Sequence, residues 1–284
     1  MVILLILTVL GLVFGSFINA LVWRLNEQDK VAKKRGKTAK FKTRNLSILK
    51  GRSMCPHCQH ELAPADLIPV VSWLMLRGAC RYCHKPISPQ YPFVELLTAM
   101  TFVFSYAFWP IALQGGSLHD WVLFGFWLVF LVGLIALAVY DIKWYLLPDK
   151  IVYVLMTVAV IQSILIVFVY RGGAHQLVQI ALSFVVGGGL FYLLFQISNG
   201  KWIGGGDVKL GVLLGLILAN PGLSLMMLFS ASLLGSAVTL PLLLTRKISR
   251  NTHIPFGPFL ITGVVIARLF GAAVIAWYRR RLLL

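Results

Sequence analysis

Acidic residues are scarce in this chain: 9 Asp and Glu in 284 residues, against 26 Lys and Arg. Charge of either sign is thin, at 12%, where a soluble domain carries about 25%. With 59% hydrophobic residues and a mean hydropathy of +0.85, so little polar surface excludes an ordinary soluble globule. Extended low-complexity segments and an internal repeat are also missing. Cysteine is rare, and all four lie in one segment. No glycine fingerprint of the Rossmann type follows a strand-like stretch, so no cofactor seat can be read from the residues.

What is present is oil in lengths that match a bilayer. Apolar runs fall at about 3–23, 92–113, 121–140, 151–170, 176–197, 208–219, 223–244 and 256–277, and about 20 such residues cross a ~30 Å hydrocarbon layer. The expected fold is an all-α polytopic membrane protein of about eight transmembrane helices. The first run lacks a basic n-region and a small-residue cleavage site before Arg24, so it reads as a helix rather than a removable signal. The expected organisation is a first helix over 1–23, a basic loop over 24–91 and a multi-helix membrane core over 92–284.

The loop sets the orientation. Between Arg24 and Lys85 there are fourteen Lys and Arg against Glu27, Asp29, Glu61 and Asp66. Basic residues beside membrane spans mark the cytoplasmic side, which accounts for the charge without a nucleic-acid partner. Eight crossings then put both termini outside. QGGSLHD (114–120) and LANPG (218–222), on the outer side, have no Lys or Arg. Cytoplasmic turns carry Lys143, Lys150, Lys201, Lys209, Arg246, Lys247 and Arg250. Arg279, Arg280 and Arg281 run against the pattern. The sixth span is short and follows a run of glycines, as segments lining a cavity do.

Cys55, Cys58, Cys80 and Cys83 form C-x2-C-x21-C-x2-C, a spacing close to that of zinc ribbons. A cytoplasmic loop is kept reducing, which disfavours disulfides. Four thiolates would close the coordination sphere, so the zinc would be structural and would fold a loop too polar to make its own core.

So few acids can be searched by elimination. Glu95, Asp141, Asp149 and Asp207 fall at or within the spans, where ionisable groups default to functional hypotheses. Asp149 reads as a cap of the fourth span, and Glu95 fits the first turn of the second. Asp141, ending the third span, and Asp207, beginning the sixth, land near the same cytoplasmic face. Two carboxylates held close cannot both ionise, so one can act as base and one as acid on a shared water. The residues leave other readings open: Asp141 could pair with Lys143, and Asp207 could pair with Lys209 or cap its helix.

Six ordered blocks resemble the bacterial type IV prepilin peptidases, aspartic membrane proteases named for a G-x-G-D motif. They are GSFINALVWRL (15–25), the paired cysteines of CPHC and CRYC, ISPQYPFVELLTA (87–99), DIKWYLLPD (141–149), GGGDVKL (204–210) and IPFGPFL (254–260). The resemblance implies that Asp141 and Asp207 are the catalytic pair and that the four cysteines bind metal. It implies removal of the basic leader from type IV prepilin or pseudopilin precursors at the cytoplasmic face of the bacterial inner membrane. N-methylation of the new N-terminus from S-adenosylmethionine would follow. The first block ends RLN where the family often has RLP, and Lys143 stands where many members have an acid. A transporter or channel with a zinc-stabilised cytoplasmic domain is the alternative, weakened because few polar residues line the other spans.

Overall fold

The computed structural model describes residues 1–34, 46–47, 51–110, 113, 115–170, 172–246 and 254–282. Lys247, Arg250 and much of the basic loop named above therefore lie outside the described residues. Among those described there is no β-strand, only two isolated bridges. Eight apolar helical segments follow the eight apolar runs. Six of them, including helices within Val2–Ala32 and Leu118–Trp144, are long and apolar enough to cross a membrane. The chain divides into two units, Met1–Ala107 and Phe108–Leu284.

In the first unit α1 (Val2–Lys34) packs along α3 (Gln90–Ala107). Gly11 and Gly15 make this possible. A Cβ on Gly15 would lie 2.5 Å from the Glu95 Cα, so the two backbones touch where no side chain intervenes, as small-xxx-small pairs allow in membranes. The helix of α1 runs well past Trp23, through Glu27 and Lys30, which form an i,i+3 ion pair of 2.8 Å. Hydropathy marks where the apolar stretch stops, not where helical hydrogen bonding stops.

Glu95 does not serve the first turn of α3. It lies a turn deeper, 6% exposed, and accepts the Val70 N–H at 2.7 Å. Val70 (φ 60°, ψ −49°) is in a conformation that β-branched residues avoid, and the Val71 N–H reaches back to the Pro69 carbonyl at 2.6 Å. This tight turn starts the short helix α2 (Val71–Met75). The buried carboxylate holds it in place.

The second unit contains α4 (Leu118–Trp144), α5 (Asp149–Ile164), α6 (Gly173–Phe184), α7 (Leu190–Ser198), α8 (Gly205–Leu218), α9 (Pro221–Leu244) and α10 (Gly257–Leu282). Ser117 and Asp120 form a reciprocal capping box at the start of α4. Asn220 caps α9, accepting from Gly222 and Leu223 N–H. Between α6 and α7 the chain passes through a single π-helical stretch, Val185–Gly189.

The short helix α8 sits at the centre, packed on α5, α6, α7, α9 and α10. Leu210, Leu213 and Leu214 are fully buried. Its glycines meet backbone directly: a Cβ on Gly215 would lie 2.5 Å from the Ser183 carbonyl oxygen, and one on Gly187 would lie 2.6 Å from that of Gly211. The carbonyls at the end of α8 have no intrahelical donor, which is costly at membrane depth. Side chains supply the donors. Gln162 donates to the Ile217 carbonyl and Gln176 to the Ala219 carbonyl, while Ser183 adds a second donor to that of Gly215, which already accepts the Ala219 N–H.

Gly215→Ala therefore forces the α6–α8 contact apart and should lower stability by about 1–3 kcal/mol, the usual cost of overpacking. Gly125→Ala, whose Cβ would meet nothing within 4 Å, should leave stability unchanged. Denaturation of the two variants in detergent checks this; equal midpoints would refute the close contact.

Candidate active site and metal centre

The four cysteines come from two matching knuckles. Cys55 N–H donates to the His60 carbonyl and Gln59 N–H to that of Cys55; Cys80, Lys85 and His84 repeat the arrangement. The residue after each second cysteine, Gln59 (φ 58°) and His84 (φ 55°), turns through the left-handed region. These turns aim all four sulfurs inward, within 4.8 Å of one another. Cys55 and Cys80 are buried. A tetrahedral zinc with Zn–S bonds of about 2.3 Å separates its sulfurs by about 3.8 Å, and Cys55 Sγ lies 3.9 Å from Cys83 Sγ. The cluster fits a metal ion. Burial pushes the Cys80 thiol up, but N–H groups of Cys83 and Tyr82 and the thiols of Cys55 and Cys83 bring it down to about 7, towards the thiolate that metals require.

A polar strut braces the knuckles. Asp66 accepts from Arg81 Nε at 2.7 Å and from the Tyr82 hydroxyl at 3.1 Å, and Tyr82 stacks on His60. Burial pushes the Asp66 carboxyl up, yet the hydrogen bonds from Arg81, Tyr82 and the Ala63 N–H outweigh it and hold the group below its ordinary value. A carboxyl lowered in the folded state contributes stability that is complete above its unfolded pKa, about 4. That contribution is lost as pH falls through the lowered value. Asp66→Asn should flatten the acid side of the loop's stability profile relative to the parent chain; identical profiles in pH-dependent proteolysis of the loop would contradict it.

The second candidate site lies in the other unit. Asp141 is in the last turn of α4, which Tyr145 closes by donating to the Asp141 carbonyl from a left-handed conformation (φ 54°). Its side chain is buried, 6% exposed, and accepts the Gly257 N–H at the start of α10. Asp207 is in the first turn of α8 and accepts the N–H of Gly204, the residue before that helix. The two carboxylates are near enough for their charges to interact. Both open onto one cavity of ≈ 650 Å³, with Phe191, Leu194, Leu228 and Phe256 as its apolar wall.

The ion pairs open on the sequence resolve otherwise. Lys209 Nζ bonds Asp149 at 2.7 Å and lies over the Tyr153 ring, while Lys143 lies over the Trp144 ring. Asp207 does serve its helix start, since it takes the N–H of Gly204, the residue before α8. That role leaves the carboxylate facing the cavity. Gly257 stands in the IPFGPFL block, and the Gly-Pro step was a local sign of a helix start. Nothing local linked it to Asp141.

The Bacterial Peptidase A24 N-terminal domain matches residues 9–109, and the Type IV leader peptidase family matches residues 128–240. Curated relatives are similar over almost the whole chain. The prepilin leader peptidase/N-methyltransferase of Pectobacterium carotovorum subsp. carotovorum is 35% identical over 93% of this chain and 91% of its own length. This chain belongs to the type IV leader peptidase family. The protein of the same name from Aeromonas hydrophila is 31% identical over 94% of this chain and 91% of the relative. That from Bacillus subtilis (strain 168) is 32% identical over 82% and 88%. No solved structure gives a significant match. Family membership makes the chain a peptidase, and with its apolar helices a multi-pass protein of the bacterial inner membrane.

Proposed function

We propose that the chain removes the basic leader peptide from type IV prepilin or pseudopilin precursors at the cytoplasmic face of the membrane, with Asp141 and Asp207 as the reactive pair. The carrying observation is the convergence of two carboxylates, from helices far apart in sequence, on one cavity. One carboxylate takes a proton from a water whose oxygen attacks the scissile carbonyl. The other, protonated, gives its proton to the carbonyl oxygen as the tetrahedral intermediate forms and takes it back on collapse, while the first passes the proton it took from water to the leaving nitrogen. No covalent intermediate forms with the enzyme, so serine- and cysteine-directed reagents leave this chemistry intact. The apolar wall suits the hydrophobic segment that follows a leader. The cytoplasmic orientation is supported by the basic turns beside both aspartates and the absence of Lys and Arg from 114–120 and 218–222.

Zn2+ is the ion proposed for Cys55, Cys58, Cys80 and Cys83, with a structural role. N-methylation of the new N-terminus, with S-adenosylmethionine as the methyl donor, is supported by the names of the relatives. No motif in the chain marks a seat for that donor. Co-expression with a pilin-like precursor tests both halves: mass spectrometry of the product should find a shortened, methylated N-terminus. Uncleaved precursor would defeat the peptidase reading, and a mature but persistently unmethylated product would remove the second activity.

A further inference from the structure

We propose that Gly257 is a positioning residue of the aspartate pair, seating the Asp141 carboxylate with its backbone N–H and with the space its missing side chain leaves. The inference rests on the reading of Asp141 and Asp207 as the reactive pair.

Helix α10 begins at Gly257, and few of its first donors are free to turn outward. Pro258 has no N–H. The N–H groups of Phe259 and Leu260 both go to the Phe256 carbonyl, at 3.1 and 3.2 Å. The Gly257 N–H instead meets the Asp141 carboxylate. The contact is tight: a Cβ at position 257 would lie 2.5 Å from Asp141 Oδ2 and 3.4 Å from its Cγ, with Leu210 Cδ2 next at 3.6 Å. Gly257 is not in the left-handed region, unlike the glycines with positive φ. Alanine can adopt this backbone, so the burden of a methyl group falls on the carboxylate.

The arrangement is asymmetric. Asp207 takes its backbone donor from the residue preceding its own helix, so the two move together. Asp141 sits at the end of α4 and takes its donor from α10, a different helix. Its placement therefore depends on the register between α4 and α10, and Gly257 fixes that register at the carboxylate.

Displacing a reacting group by about 1 Å can cost about 10²-fold in rate. Gly257→Ala is accordingly expected to lower kcat for precursor cleavage by about 10²-fold. KM and retention of uncleaved precursor should stay within about threefold, because the apolar wall is untouched. Gly125→Ala serves as the control with parental kinetics. Folding is checked through the partner. Asp141→Ala removes the group the new methyl strikes, so Asp141→Ala/Gly257→Ala should unfold at the same temperature as Asp141→Ala alone, even where Gly257→Ala by itself is destabilised.

Parental kcat in Gly257→Ala, with Asp141→Asn inactive, overturns the positioning role and leaves the aspartate reading standing. Loss of precursor binding in step with kcat overturns it too, as does a double variant that unfolds where Asp141→Ala holds. Activity in Asp141→Asn would instead remove the reading on which the inference rests.

Discussion

Asp141→Asn and Asp207→Asn should each lower precursor cleavage by at least about 10²–10⁴-fold, the usual contribution of a general acid or base, with membrane insertion unchanged. Asparagine keeps the size and the acceptor oxygen of the carboxylate. Asp141→Asn can still accept the Gly257 N–H, and Asp207→Asn that of Gly204, so the helix starts stay satisfied. What is lost is the ability to take up and release a proton. A pair acting on one water works as a unit, so the double variant should be little worse than either single one. Immunoblots of precursor and mature product, beside membrane fractionation of the enzyme, make the measurement. An aspartate whose asparagine variant still cleaves has no place in the mechanism.

Removal of the metal should have the second largest effect, on structure rather than chemistry. A structural zinc site in a small domain is worth about 10–16 kcal/mol, comparable with or larger than the 5–15 kcal/mol that holds a whole domain folded. The purified protein is expected to carry one zinc ion per chain. Chelation, or Cys55→Ser or Cys80→Ser at the two buried positions, should open the segment around residues 51–89 to protease while α1 and α3 remain helical. Metal analysis and limited proteolysis before and after chelation decide the matter. A chelated chain as protease-resistant as the native one would show that the knuckles fold without an ion.

The helices and the metal cluster were legible because their signals are local. Twenty apolar residues report a span whatever surrounds them, and a CxxC knuckle is a short turn whose left-handed residue, Gln59 or His84, is set within the hairpin. The pairing of acids is a different kind of information. Lys209 found Asp149, 60 positions away, not Asp207 two residues before it, because the starts of α5 and α8 meet only in three dimensions. Glu95 was placed by spacing at a helix start, and packing of α1 on α3 buries it a turn deeper against Val70. From residues alone the aspartates remained equally readable as caps or catalysts. The resemblance of the ordered blocks favours the catalytic reading proposed above, and the two aspartates line one cavity.

The shortness of α8 carries a consequence of its own. Fourteen residues make a helix about 21 Å long, against a hydrocarbon layer of ~30 Å. A rod of that length cannot reach both surfaces, and Asp207 sits in its first turn. On the reading proposed above for Asp207, the bond to be broken is set by how far a substrate sinks before its charged part stops at the surface, as a depth gauge chooses where a drill stops.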